Sequence, residues 1–458
     1  MTEPHYLSAT EMARLLAAGE VSAAELLQAH LDRIERVNPE INAIVTLVAE
    51  RAMDAARAAD ALPREARGPL HGLPVAHKDL ADTAGIRTTY GSPLYRDHVP
   101  DTDELLVTRL KAAGAITVGK TNTPEYGTGS HTVNEVFGAT LNPYDRTRSA
   151  GGSSGGAAAA LAAGMVPLAD GSDMGGSLRN PASFCNVVGL RPTPGRVPGI
   201  SDKAAWYTLA VPGPMARTVG DLTLMLGAMA GYHPGSPFAV TEPFVPDPEE
   251  SVRGLRVAWS PDLGGLPVDP ETAAVTATAP AVFERLGARV TQVALDLSDA
   301  DDAFRVYRAW YYALSFPDLD VLGPNTRWNA EQGRLVTGAD LARAEGLRTR
   351  LFHRMAAFWE EHDLLIAPVS QVPPFPVENP YVSEINGVVL PDYLSWMRSA
   401  YWISVLHAPA ASVPAGFTPG GLPVGVQIVA PPFADARVLR AARAFEQATL
   451  YGERRPPR

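Results

Sequence analysis

The sequence predicts a single large α/β domain built on a mixed β-sheet core. Two observations carry that prediction. Short apolar runs that abut glycine alternate with segments of helical period in the first part of the chain, and the same alternation restarts near Leu255. No repeat of fixed period divides the chain into modules. The 458 residues would also fill two or three average domains. Most of the units can join one sheet, however, so the chain is read as one domain over 1–458. It has an N-terminal helical part (1–66), a central part (67–235) and a C-terminal αβ part (236–458).

The elements follow in order. From Val21, VSAAELLQAHLDRIERVN places Leu26, Leu27, Leu31 and Ile34 on one face behind a Ser22/Glu25 capping box, which predicts an amphipathic helix. A second helix is expected around Glu50 to Asp60. GLPVAHKDL and AAGAITVGKTN read as buried strands, and DTDELLVTRLKAAGA between them as a helix, giving a βαβ unit. The run AAAALAAGMVPLA from Ala157, broken by Gly164 and Pro167, is expected to be a buried helix. In GPMARTVGDLTLMLGAMAG a helix is expected to be led in by Pro214. The proline-rich stretch 236–250 reads as a surface crossing. LRVAWSPDL then predicts a strand, DPETAAVTATAPAVFERLGA a helix and ARVTQVAL a strand. The end, ASVPAGFTPGGLPVGVQIVAPP, predicts two strands joined by a glycine turn, with a helix from Asp435.

Composition bounds the function. Hydrophobic residues are 46% and charged residues 19%, the balance of a folding domain rather than a disordered one. A net charge of -11 lacks the basic footprint that a nucleic acid or an anionic membrane demands, so neither is expected as a partner. The start of the chain lacks a signal-peptide pattern, and the single cysteine, Cys185, suits a reducing compartment, so a cytoplasmic location is expected. Cys185 is expected to pack in the core.

Two glycine- and serine-rich stretches carry the chemistry. In AGGSSGGAAAALAAG, from Ala150, the glycines precede an alanine-rich helix and offer an anion-binding turn. The same stretch satisfies the G-x-S-x-G of a nucleophile elbow, for which His233, His353, His362 and His407 are the downstream histidines, none in a distinctive setting. A nucleotide-phosphate loop is excluded because no lysine lies close to Gly151. In GSDMGGSLRNP, Ser177 follows two glycines, so several backbone N–H groups can converge on one point, as an oxyanion hole requires. With no histidine placed for Ser177, a desolvated neutral lysine is an alternative base. The chain has four lysines, Lys78, Lys111, Lys120 and Lys203, and Lys78 in its apolar strand suits the demand best.

Taken together, GLPVAHKDL, GKTNTPEYG, NPYDRTRSAGGSSGG, GSDMGGSLRNPASFCNVVGLRPTPGRVP, GPMARTVGDL and LPVGVQIVAPPF closely resemble the amidase signature family of serine hydrolases, in the right order from about Leu16 to Phe445. The resemblance implies helices on both faces of the sheet and a Ser–cis-Ser–Lys triad of Lys78, Ser153 and Ser177, with a cis peptide at Gly152–Ser153. It implies an oxyanion hole from the backbone of Met174, Gly175, Gly176 and Ser177, supported by Ser154, Asp173 and Arg179. The reaction it implies is hydrolysis of a carboxylic amide to acid plus amine or ammonia, on a small, aryl or cyclic substrate, with no metal or cofactor. Lys120 is the weaker alternative base. Departures from the family pattern stand at Ala150, His77 and Asn186 and touch none of the three reacting side chains. Because neighbours in a strand face opposite ways, His77 is expected to pack away from Lys78.

The substrate pocket is expected from Tyr126, Gly127, Thr128, Trp206, Tyr311 and Trp402, within the wall candidates Tyr126 to His131, Trp206 and Tyr207, Tyr307 to Tyr312 and Tyr381 to Trp402. Two further roles are carried forward. One is the amidase subunit of a glutamyl-tRNA amidotransferase complex, disfavoured because its aspartate-glycine and tyrosine-glycine stretch is missing. The other is a dormant binding protein, disfavoured because all three triad residues are present. A homodimer is left open, since no exposed heptad decides it.

Overall fold

The computed structural model describes residues 3–246 and 251–457. Its centre is an eleven-stranded mixed sheet. The strands are β1 (Ile44–Leu47), β2 (Pro74–Lys78), β3 (Ile116–Thr121), β4 (Leu168–Asp173), β5 (Val188–Arg191), β6 (Val211–Ala216), β7 (Arg256–Trp259), β8 (Arg289–Gln292), β9 (Leu364–Pro368), β10 (Ala410–Phe417) and β11 (Pro423–Val429). They lie in the order β1-β3-β2-β4-β6-β5-β10-β11-β9-β7-β8. β2 pairs in parallel with both β3 and β4, and β7 with both β8 and β9, while the strands between these blocks are antiparallel. Parallel neighbours need a crossover, and the helix Leu105–Ala112 supplies it between β2 and β3 as the βαβ reading expects. The hairpin β10–β11 turns through Gly421, whose φ of 82° is open to glycine at little cost.

The predicted helices at Ala23–Ile41, Ala49–Asp60 and Asp435–Thr449 are present, the first with the Ser22/Glu25 capping box formed. Three expectations need correction. Pro214 lies inside β6, not before a helix; the helix starts at Val219, capped by Thr218, whose hydroxyl accepts from Asp221 N. A proline is tolerated there because β6 pairs with β5 only at Met215 and Ala216, so Pro214 has a neighbouring strand on one side alone. The helix expected over 269–288 is two helices, Pro270–Thr276 and Ala279–Arg285, since Pro280 has no N–H to continue the ladder but fits a first turn. The run from Ala157 is a helix only as far as Ala162; Gly164, at φ 73°, turns the chain into β4. In the proline-rich crossing, residues 247–250 lie outside the described residues.

The helix Gly155–Ala162 is buried on all sides and packs across β2, β3, β4 and β6. Small side chains, glycine and alanine at every position but Leu161, let it sit close to the sheet, so its start is fixed against the strand ends. A Cβ on Gly156 would stand 2.3 Å from Asn122 N and 2.8 Å from Ala43 O, which makes glycine the residue this approach admits. Among the described residues, no helix is long and apolar enough to cross a membrane.

Candidate active site

β2 and β4 run parallel, so their carboxyl ends reach the same edge of the sheet, the edge at which α/β sheets hold their chemistry. Lys78 is the last residue of β2; Ser172 and Asp173 end β4. Ser153 and Ser154 arrive in the turn before the buried helix, and the Gly152–Ser153 peptide is cis. Ser154 N–H donates to Ser177 O at 3.2 Å, which ties the two serine-bearing turns together.

Lys78 is 2% exposed. Its Nζ lies 2.7 Å from Ser153 Oγ, 3.0 Å from Ser154 Oγ and 3.2 Å from Ser172 Oγ. Among the described residues no carboxylate pairs with the amine itself. Burial lowers its pKa to about 7, against the smaller opposing pull of Asp173 and Asp170. An amine in this setting is poised to shed its proton near neutrality, and its first neighbour is the Ser153 hydroxyl. Ser172 was missed by sequence reasoning; the signal was its place in Gly171-Ser-Asp173 at the end of an apolar strand.

The turn from Met174 to Ser177 is held by Asp173. Its carboxylate accepts from Gly176 N at 2.9 Å and Leu178 N at 3.2 Å, and pairs with Arg179 through Nε at 3.0 Å. Arg191 Nη1 adds a bond to Asp173 O at 2.5 Å, an anchor the sequence reading did not name. Burial would raise the Asp173 pKa, but Arg179 and Arg191 outweigh it and hold it at about 2. The expectation for Gly176 is corrected here: its N–H is spent on Asp173. The N–H groups of Met174, Gly175 and Ser177 make no hydrogen bond among the described residues. Gly176 serves the turn instead, at φ 108°, where a Cβ would meet that of Ala400 at 2.4 Å.

Ser177 and Ser153 line one cavity of about 180 Å³. Tyr126, Gly127 and Tyr311 line it, together with Met174, Phe304, Arg308, Tyr312 and Phe316. Phe304, Arg308, Tyr311 and Tyr312 form one stripe of the helix Asp299–Ser315, at the spacing of a single helical face. Three expected wall residues are elsewhere. Trp206 is 75% exposed and lies against a different surface hollow. Trp402 is buried outside the cavity, donating from Nε1 to Asp301 Oδ1 at 3.2 Å. Thr128 bonds Tyr312 Oη at 2.9 Å and lines an adjoining cavity of about 620 Å³ that shares Gly129 and Ser130 with the first.

Lys120 Nζ donates to Ala81 O and to Thr83 Oγ1, away from the three serines. His77, on the opposite side of β2 from Lys78, bonds Asp170 Oδ2 at 2.5 Å and Thr117 Oγ1 at 2.9 Å; Asp170 Oδ1 in turn accepts from Lys78 N at 2.9 Å. His77 thus steadies the strand that carries the lysine. Cys185 is fully buried, and burial pushes its thiol pKa up. No histidine lines the Ser177 cavity, and no group of three or more His, Cys, Asp or Glu residues is placed to hold a metal ion, among the described residues.

The geometry agrees with what the chain is similar to. It is 38% identical to the acylamidase of Rhodococcus erythropolis, over 100% of this chain and 98% of that protein. It is also 38% identical to a subunit of the glutamyl-tRNA(Gln) amidotransferase of Moorella thermoacetica, over 99% of each. The crystal structure of a bacterial aryl acylamidase of the amidase signature family superposes with a TM-score of 0.90 at 29% identity, over 98% of both chains. The amidase family model matches residues 25–439, and the chain belongs to that family.

Proposed function

We propose that the protein hydrolyses a carboxylic amide through an acyl-enzyme on Ser177. Ser177 Oγ attacks the amide carbon while its proton passes to Ser153 Oγ, and the Ser153 proton passes to neutral Lys78 Nζ. The tetrahedral oxyanion accepts hydrogen bonds from the free N–H groups of the Met174–Ser177 turn. Return of the proton through Ser153 to the amide nitrogen breaks the C–N bond and releases an amine or ammonia. Water then repeats the relay on the ester and frees the acid. Ser177 Oγ makes no hydrogen bond to Ser153 among the described residues, so the two hydroxyls close up when substrate fills the cavity they share.

The observation that carries the reading is the Lys78 amine, buried among three hydroxyls and 2.7 Å from Ser153 Oγ. The similarity to an acylamidase and to an aryl acylamidase supports amides as the bond class. The aromatic wall of the Ser177 cavity supports a small or aryl acyl or amine group. The single cysteine, buried and free, supports action in a reducing compartment such as the cytoplasm.

The test is the intact mass after exposure to a fluorophosphonate. One adduct on the wild type, none on Ser177→Ala and a much slower one on Lys78→Ala is the expected pattern; an unlabelled wild type, or an equally labelled Ser177→Ala, sinks the assignment. The full-length similarity to the amidotransferase protein favours a second reading, in which the released ammonia goes to a partner. Amide turnover by the isolated chain decides for the free-standing enzyme.

A further inference from the structure

Arg308 is 5% exposed and lines the cavity that holds Ser177. Its guanidinium is charged at any working pH. Every partner it has is neutral: Nε donates to Asn329 Oδ1 at 2.9 Å, and Nη2 to Tyr312 Oη at 3.1 Å and Tyr393 Oη at 3.0 Å. Nη1 meets Met174 Sδ at 3.1 Å, a thioether that accepts weakly. Among the described residues no carboxylate pairs with it.

The contrast with other buried arginines is informative. Arg179 and Arg191 share Asp173, and Arg196 has Asp435. Arg217 makes no ion pair but feels the charge of Asp221, and its two Nη atoms are filled by the carbonyl oxygens of Leu7, Leu161 and Val166. Arg308 combines a buried charge, no anion and a poorly filled nitrogen beside the Met174–Ser177 turn. A charge taken out of water without a counter-ion is costly, and the fold keeps this one where a ligand can supply the missing anion.

On the reading that Ser177 is the nucleophile, we propose that the substrate is an amide carrying a free carboxylate a few bonds from the scissile carbonyl, and that Arg308 selects it. The guanidinium presents N–H groups in a plane that matches a carboxylate, and the Tyr312 ring, 4.6 Å from Arg308 Cζ, backs the cation. A cavity of about 180 Å³ keeps that carboxylate close to the reacting carbon. The tyrosines and Asn329 fix the fork in place, so the anion meets donors that are already oriented.

The test compares isosteric pairs that differ in charge: succinamate with succinamide for a carboxylate on the acyl side, and 2-acetamidobenzoate with 2-acetamidobenzamide for one on the amine side. Fluorophosphonate labelling of the wild type is read in parallel. The expected result is a preference of about 100-fold in kcat/KM for the acid of at least one pair, carried mainly by KM. Arg308→Gln should bring that ratio to near one, and Arg308→Lys should recover part of it. The proposal is overturned if labelled wild type cleaves the neutral member of both pairs as well as the acid, or if Arg308→Gln keeps the preference. An unlabelled wild type overturns both this and the serine assignment. Should Arg308→Gln fail to fold, the wild-type ratio alone decides.

Discussion

Replacing Lys78 with methionine keeps the length of the side chain and removes the amine. In the folded protein that amine titrates at about 7, while in the unfolded chain it takes the ordinary value of 10.5. The folded pKa is the lower one, so between the two values the unfolded chain binds the extra proton and stability rises with pH. Each unit is worth about 1.4 kcal/mol, so the full cost of burying the charge, present below pH 7, is on the order of 5 kcal/mol. At pH 7 the folded amine is half titrated; from there to pH 9 the wild type should gain about 2 kcal/mol relative to Lys78→Met. Other groups titrate in both proteins and cancel in the difference. The assay is urea unfolding of both proteins at pH 6, 7, 8 and 9. Its kinetic counterpart is kcat/KM of the wild type, which should fall tenfold per unit below about pH 7 as Lys78 takes up its proton. A difference in stability that stays flat from pH 7 to 9 would refute the reasoning, because it would mean that the buried amine is charged throughout.

Four further outcomes follow. Asp173→Asn leaves Arg179 and Arg191 buried without their anion and should cost about 3–5 kcal/mol in urea unfolding. Asp173 is held at about 2 against 3.8 unfolded, so its contribution is present above pH 4 and fades as pH falls towards 2; the gap between the two proteins should narrow over that range. Gly156→Ala puts a Cβ 2.3 Å from Asn122 N, pushes the serine-bearing turn out of register and should slow fluorophosphonate labelling by about 100-fold, with circular dichroism checking that the fold survives. Trp206→Ala should leave kcat/KM within about twofold, while Tyr311→Ala, in the cavity wall and stacked on Tyr207 at 4.3 Å, should raise KM about tenfold. Lys120→Met should leave the kinetic limb at about pH 7, since Lys120 reaches Ala81 and Thr83 rather than the serines.

The parts of the fold that were legible are those with a local cause. The capping box of Ser22 and Glu25, the βαβ unit from Pro74 to Thr121 and the C-terminal hairpin each follow from spacing and turn residues within one segment. Pro214 was misread because a proline before an apolar run resembles a helix start. Its membership of β6 depends on β4, more than thirty positions earlier in the chain, lying alongside. The split at Pro280 could have been seen, since a proline inside a helical period marks a break.

The site divides along the same line. Ser177 and Lys78 stand in segments whose glycines and apolar neighbours announce a backbone in tight quarters, so each was a candidate without its partners, whereas Ser153 read only as one serine of a glycine-rich turn and its place between them came from the family resemblance. The wall of the pocket has no such signature, because aromatic residues look alike whether they pack the core, cover the surface or face a substrate. Trp206 was placed in the wall on ring content alone and lies 75% exposed. The helix Asp299–Ser315 shows what would have worked: Phe304, Tyr311 and Tyr312 mark its inward face, and Arg308 lies on that face, one turn after Phe304 and one before Tyr312. A cation on an otherwise apolar stripe contradicts the period that defines the helix. On the proposal made for Arg308 a substrate carboxylate completes it, so the phase of the helix, and not the count of its rings, is where the sequence would carry that signal.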